Sequence, residues 1–224
     1  MKKSSLKTLA YDTIKEKIVT GEYTPCEFLN EELLSAQLQI SRTPIRDALV
    51  RLEQEGLVEI RPKKGSIVTP LSVKDIKMIF EIRRLYEPYI LKTYGELIPE
   101  EQFHRFFKTF SQESTSSKCQ SHNQYFYELD AAFHQMIVDA CPNPYLRQSY
   151  ARTQTQSDRF RFMTGNVSNS RVEDTLQEHL DILTSCLQKD WEAAAQKLIS
   201  HLEASKKATF NLVLASMDSG NITF

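Results

Sequence analysis

The chain has 224 residues, of which 41% are hydrophobic and 25% are charged, and its formal net charge at neutral pH is −1. This composition is that of an ordinary globular protein, and the length allows one large domain or two smaller ones. The balanced charge excludes a polybasic coat protein or a bulk nucleic-acid binder, although it leaves room for a local basic patch.

No stretch of the sequence has the features of a secretion signal or a membrane span. The N-terminus carries lysines with no apolar segment after them, and no run of about 18 apolar residues follows. The four cysteines are far apart and form no Cys-x-x-Cys pair, which is typical of reduced thiols. We therefore expect a cytoplasmic protein without a membrane partner.

The first third of the chain is predicted to form three helices and a β-ribbon. Apolar residues at helical spacing mark a first helix over residues 6–20, and Asn30 starts the short second helix "EELLSAQL". In the third helix, Thr43 is expected to cap and Pro44 to take the first helical position, with an end at Gly56. The segments "LVEIR" and "SIVTP" flank "PKKG" and predict a two-stranded ribbon with a basic tip.

The remainder of the chain is predicted to be an all-α antiparallel helical bundle. After Pro70 the sequence consists of amphipathic segments of helix length and has no strand signal. The predicted helices lie near residues 72–94, 99–114, 122–140, 144–164, 171–188 and 190–216. The fold class is thus mainly α, with a winged helix-turn-helix domain over residues 1–70 and a helical domain over residues 71–224.

Three helices followed by a ribbon is the plan of a winged helix-turn-helix, whose third helix enters the major groove of DNA with its N-terminus first. The residues at that end are Ser41, Arg42, Thr43 and Arg46. Arginine binds guanine bidentately, and hydroxyl groups at a helix start hold phosphates. At the ribbon tip Lys63 and Lys64 add positive charge, and Gly65 lets the backbone approach DNA closely. The alternative is a set of solvated surface arginines, because acidic and basic residues nearly balance over residues 1–70.

Two polar residues interrupt the apolar face of a helix in the second domain. Asp130 and His134 lie four positions apart and therefore point the same way. His179 and His201 lie at equal distances from Asp190, so two antiparallel helices joined there bring both imidazoles to one level. Together the four residues would form a cage that suits Zn²⁺, with Ni²⁺ and Mn²⁺ as alternatives. The other interpretation is a buried Asp–His hydrogen bond without a metal.

A second polar pair lies in "IKMIFEIRRLYEPYI", where Arg83 and Glu87 interrupt an apolar stripe. One interpretation is an ion pair between side chains one helical turn apart. The other is that Arg83 points into the metal cavity and binds the carboxylate of a ligand bidentately.

The segment "LNEELLSAQLQISRTPIRDALVRLEQEGLVEIRPKKGSIV" resembles the DNA-binding domain of the GntR family of bacterial transcription regulators, above all in its "SRTPIRDAL" core. The resemblance implies that Arg42 and Arg46 contact the operator, that Thr43 supports them, and that Gly65 enters the minor groove. Some relatives have a basic, DNA-contacting residue at the position of Glu32, so the glutamate here implies a change in operator sequence or affinity.

The second domain is similar to the FCD effector domain of the FadR-like branch of that family, through its "D..FH" pattern, a later "EH" and a later "H". The resemblance implies that Asp130, His134, His179 and His201 hold the metal. It favours Arg83 as the residue that binds the effector. It also implies a homodimer on a palindromic operator.

These patterns predict a transcription regulator, most often a repressor, and not an enzyme. In this hypothesis a small carboxylate binds the metal and Arg83, and thereby changes the spacing of the two DNA-binding heads. The alternatives are a purely structural metal, direct metal sensing, and a metal-dependent hydrolase, for which we find no obvious general base near the site.

Overall fold

The structure is a computed structural model that describes residues 5–62, 65–114, 123–164 and 169–218. The described chain is mainly helical and divides into two compact units after Ser72. The predicted fold class, a winged helix-turn-helix followed by a helical domain, is confirmed. Within the described ranges, no helix is long and apolar enough to cross a membrane.

The first unit contains three helices and a small antiparallel sheet. Its elements are α1 (Leu6–Val19), β1 (Phe28–Leu29), α2 (Glu31–Leu38), α3 (Arg42–Gln54), β2 (Val58–Arg61) and β3 (Gly65–Val68). The strand order is β1-β3-β2, with Phe28 opposite Ile67, so the predicted two-stranded ribbon has a third strand. Helix α1 packs against α3, and their buried apolar side chains form one core with those of the sheet.

The start of α3 differs from the prediction. Ser41 is the N-cap residue, and Thr43 and Pro44 both lie within the first turn, so the prediction that Thr43 caps this helix is wrong. Proline is tolerated there because the first four N–H groups of a helix have no acceptor within the helix. As a consequence, Arg42 is the first residue of α3.

The described residues of the second unit form six α-helices. They are α4 (Val73–Tyr94), α5 (Glu100–Ser114), α6 (Asn123–Asp139), α7 (Pro144–Thr164), α8 (Asn169–Leu187) and α9 (Trp191–Asp218). Helix α4 packs against α6, α7 and α9, while α8 packs against α5 and α9. Because only residues 188–190 join α8 to α9, these two helices are antiparallel neighbours, as the spacing of their histidines predicts.

A short 3₁₀ turn, Gly95–Leu97, follows α4 and was not predicted. Gly95 is buried there against the indole of Trp191, and a Cβ atom at this position would lie 2.5 Å from Cε3 of that ring. We therefore expect Gly95→Ala to destabilise the helical domain by about 1–3 kcal/mol, because the indole must move. Denaturant unfolding followed by tryptophan fluorescence measures this, and Leu97→Ala, at a largely exposed position of the same turn, is the control. An unchanged midpoint for Gly95→Ala would contradict the prediction.

Candidate functional site

Four buried side chains from three helices meet in the second unit. Asp130 and His134 come from α6, His179 from α8 and His201 from α9. Each offers one ligand atom, and these four atoms lie within 4.8 Å of one another. The helix pairing that the sequence predicts therefore brings together the four residues expected to hold a metal.

The distances within this cluster suit a first-row metal ion. The Nε2 atoms of His134 and His201 are 3.2 Å apart, and Oδ1 of Asp130 lies 3.4 Å from Nε2 of His179 and 3.7 Å from Nε2 of His134. Ligands of a tetrahedral zinc ion are about 3.4 Å apart when the bonds are about 2.1 Å long. Three nitrogens and one carboxylate oxygen are also donors that zinc accepts.

Two further carboxylates fix the orientation of two of these imidazoles. Oε2 of Glu87 lies 2.6 Å from Nδ1 of His134, and Oε2 of Glu178 lies 2.7 Å from Nδ1 of His201. A carboxylate on one ring nitrogen holds the tautomer whose other nitrogen has its lone pair free for a metal. The sequence did not predict that Glu87 or Glu178 orients an imidazole. The one indication for Glu87 was that a charged residue interrupts an apolar stripe.

His179 differs from the other two imidazoles. Its side chain is fully buried beside Phe110 and Phe133, with ring centroids 4.9 Å and 4.5 Å away. Neither ring nitrogen has a hydrogen-bond partner among the described residues, although Nε2 is 3.4 Å from Asp130. Buried imidazole nitrogens without partners are costly, so a ligand that binds Nε2 removes part of that cost.

The charge states of the cluster favour metal binding. Burial lowers the pKa of His134 to about 4, although the charge of Glu87 opposes this, and burial lowers the pKa of His179 well below its usual value. Burial alone raises the pKa of Asp130, but the guanidinium of Arg161 and the three neighbouring imidazoles together outweigh it and hold that pKa well below the ordinary range. Two neutral imidazoles and a carboxylate are thus present at neutral pH, and these are the forms that bind metals.

Arg83 forms the ion pair with Glu87 that the sequence left open, and it also lines a cavity beside the cluster, while binding of a carboxylate ligand by Arg83 stays a prediction. Only 2% of the residue is exposed; its Nε donates to Oε1 of Glu87 at 2.6 Å and its Nη1 to Oγ of Ser157 at 3.3 Å. The remaining nitrogen, Nη2, is buried and has no hydrogen-bond partner in the described part of the chain. Arg83 also lines a cavity of about 70 Å³, which Asp130 and His201 border as well.

Two more arginines line this cavity, and both bind carboxylates of the protein. Nη2 of Arg161 lies 2.8 Å from Oδ2 of Asp130, and Nη1 donates to Asp158 at 2.7 Å. Arg171 donates to both oxygens of Glu178, at 2.7 Å and 2.8 Å. No pattern in the sequence singles out Arg161, because its contact with Asp130 depends on the packing of α7 against α6.

In the first unit, the residues predicted to contact DNA lie at one end of α3. All four of these side chains are exposed: Ser41, Arg42, Thr43 and Arg46. Arg46 donates to Glu31 through Nε and Nη2, at 3.2 Å and 2.8 Å, and Nη2 of Arg42 lies 2.8 Å from Oε1 of Glu32. Exposed ion pairs contribute little to stability, so DNA phosphates or bases can replace these acids.

The ribbon tip is only partly described. Lys64 lies outside the described residues, as does Lys63, while Gly65 begins β3 with a φ of +96°. Glycine adopts such a backbone conformation at little cost, whereas other residues are strained. The described part of the ribbon, in which Arg61 lies opposite Gly65, suits a wing that approaches a DNA groove.

Models of two known families match successive parts of the sequence. The sequence matches the model for bacterial regulatory proteins of the gntR family over residues 6–68 and that for the FCD domain over residues 78–204. The HTH-type transcriptional repressor RspR of Escherichia coli (strain K12) is 26% identical over 193 residues, which cover 86% of this chain and 84% of that protein.

Solved structures share the fold. The structure of McbR/YncC from E. coli covers 94% of this chain and 100% of its own, with a TM-score of 0.79 and 16% identity. The metal-free FCD domain of the regulator TM0439 covers 65% of this chain and 99% of its own, with a TM-score of 0.56 and 20% identity. The two family matches and the relative RspR show that the chain belongs to the gntR family of bacterial regulatory proteins, carries an FCD domain, and is a DNA-binding transcription regulator rather than an enzyme.

Proposed function

We propose that this regulator is a repressor that releases its operator when a small carboxylate binds beside a divalent ion in the helical domain. In this proposal residues 1–70 bind DNA, and residues 71–224 bind the effector and pair with a second copy on a palindromic operator. The word repressor in the name of the relative RspR supports the direction of regulation.

The divalent ion would be held by Asp130, His134, His179 and His201, with zinc as the favoured ion and nickel or manganese as alternatives. The donor set, its spacing and the ring nitrogens of His179, which have no hydrogen-bond partner among the described residues, support this assignment. When bound, the ion supplies positive charge and a coordination position for a carboxylate oxygen of the effector. Glu87 and Glu178 hold two of the imidazoles in the orientation that this requires.

The single observation that carries the effector site is the buried Nη2 of Arg83, which has no hydrogen-bond partner in the described ranges and lies in a cavity that Asp130 and His201 also line. A guanidinium that already donates to Glu87 through Nε still offers this N–H group to a carboxylate. The effector would regulate only if it binds two domain geometries with different affinity, as any ligand that shifts a conformational equilibrium must.

The DNA-binding part of the proposal predicts that Arg42→Ala and Arg46→Ala each weaken binding of a selected operator by about tenfold or more, since each removes a contact to a base. The full-length protein first selects duplexes from a random-sequence pool, and fluorescence anisotropy then measures affinity for the recovered sequence. Arg51→Ala is the control, because this arginine of the same helix lies over the ring of Tyr11, 3.5 Å from its centroid.

The same assay separates the alternatives for the metal. Loss of operator binding when a carboxylate is added to the metal-loaded protein supports the proposal. A response to metal without any acid would instead indicate direct metal sensing. Stabilisation by the metal without any effect on DNA binding would indicate a structural ion.

A further inference from the structure

We propose that the effector is a short monocarboxylate, with a single negative charge and a small apolar body. The inference rests on the proposed function, because it takes a divalent ion to be held by the cluster of Asp130, His134, His179 and His201. It narrows the class of carboxylates to acids with one ionised group.

The first argument concerns hydrogen-bond donors. Of the three arginines that line the cavity, Arg161 and Arg171 already bind carboxylates of the protein through both terminal nitrogens. Among the described side chains of the cavity, Arg83 has the one guanidinium nitrogen that is buried and unpartnered. One charged donor and the ion would therefore hold one carboxylate group, while a second carboxylate would have no cation left to bind.

The second argument concerns charge. Arg83 and Arg171 each contact one carboxylate and Arg161 contacts two, so three positive and four negative groups leave one net negative charge. The groups are Arg83, Arg161 and Arg171, with Glu87, Asp130, Asp158 and Glu178. A divalent ion reverses the sign and leaves one net positive charge. An anion with one charge neutralises the buried site, whereas a dianion leaves an excess negative charge in a medium that solvates charge poorly.

The third argument concerns size and surroundings. The cavity of about 70 Å³ has room for only a few water molecules, so the ligand is small. Its wall is largely apolar and includes Ile79, Phe80, Phe126, Phe160 and Leu212. The hydroxyl groups of Ser157 and Thr209 also line it and can bind a hydroxyl of the ligand, but they carry no charge. A hydrocarbon body with at most a hydroxyl group fits these surroundings.

The test is calorimetric titration of the full-length, metal-loaded protein, after elemental mass spectrometry has measured the bound ion. The probes are propionate, butyrate and lactate, each against malonate and succinate, with propionamide as an uncharged control. We expect at least one monocarboxylate to bind about tenfold more tightly than either dicarboxylate, because burying an unpaired polar group costs about 1–3 kcal/mol. Arg83→Gln should abolish this binding, and Arg84→Gln, at an exposed position on the same helix, should leave it unchanged.

The outcomes distinguish this inference from the proposed function. A protein that holds one ion per chain but binds succinate or malonate as tightly as any monocarboxylate overturns the inference and leaves the metal centre intact. Failure of every monocarboxylate to bind the metal-loaded protein overturns it as well. A protein that binds no ion overturns the metal centre and the charge argument built on it.

Discussion

Glu87→Gln is expected to lower the free energy of unfolding of the helical domain by about 3–5 kcal/mol, since it removes one partner of a buried ion pair. Glu87 is fully buried and accepts hydrogen bonds from Nε of Arg83 and from the hydroxyl of Tyr150. Its other oxygen lies 2.6 Å from Nδ1 of His134. The substitution keeps the shape of the side chain but leaves the Arg83 cation buried without its carboxylate.

Because the chain has a single tryptophan, the loss of unfolding free energy can be measured for the helical domain alone. Trp191 is the first residue of α9, so its fluorescence reports unfolding of the helical domain alone. Glu81→Gln, at an exposed position of the same helix, is the matched control and should stay within about 0.5 kcal/mol of the wild type. A loss below about 1 kcal/mol for Glu87→Gln would show that the pair is not buried as described.

A second substitution separates the ion pair from simple packing. Replacing both partners by neutral groups removes the uncompensated charge, so Arg83→Met combined with Glu87→Gln should be more stable than Glu87→Gln alone.

Glu87→Gln should also weaken metal binding by about 10- to 100-fold, because it disturbs the residue that orients His134. The two readouts together test Glu87 as both a structural and a positioning residue.

Much of the fold could be predicted from the sequence because helical periodicity is a local property. Each helix of the second unit begins and ends within two residues of its predicted position. The pairing of Asp130 with His134 along one helix, and of His179 with His201 across one short turn, also follows from local information, whereas the meeting of the two pairs depends on the packing of α6 in the bundle. Metal binding by these residues stays a prediction.

The surroundings of the cluster could not be predicted because they depend on side-chain conformations and on the packing of distant helices. Glu178 is adjacent to His179 in sequence but binds His201, which is on another helix. Arg161 reaches Asp130 only because α7 packs on α6. The third strand of the wing is equally non-local, because β1 is two residues long and is defined by its pairing with β3.

His179→Leu is expected to change stability in opposite directions in the metal-free and metal-loaded protein. Without metal the substitution should stabilise the helical domain by about 1–2 kcal/mol, because it removes buried ring nitrogens that no described residue hydrogen-bonds and places an apolar side chain beside two phenylalanines. With metal the wild type should gain about 4 kcal/mol at a free ion concentration of about a thousand times Kd, and the variant should lose most of that gain.

Opposite signs of the change in unfolding free energy, in the metal-free and the metal-loaded protein, would identify His179 as a metal ligand. A histidine retained only for packing would give the same sign with and without metal, whereas a metal ligand is a cost in one state and a gain in the other. Urea unfolding followed by Trp191, with and without zinc, measures both states in one protein preparation. His104→Leu, at an exposed position on α5, is the control and should leave the zinc effect unchanged. Destabilisation of the metal-free protein by His179→Leu would show that this imidazole has a partner in the fold and would count against its role in the metal centre.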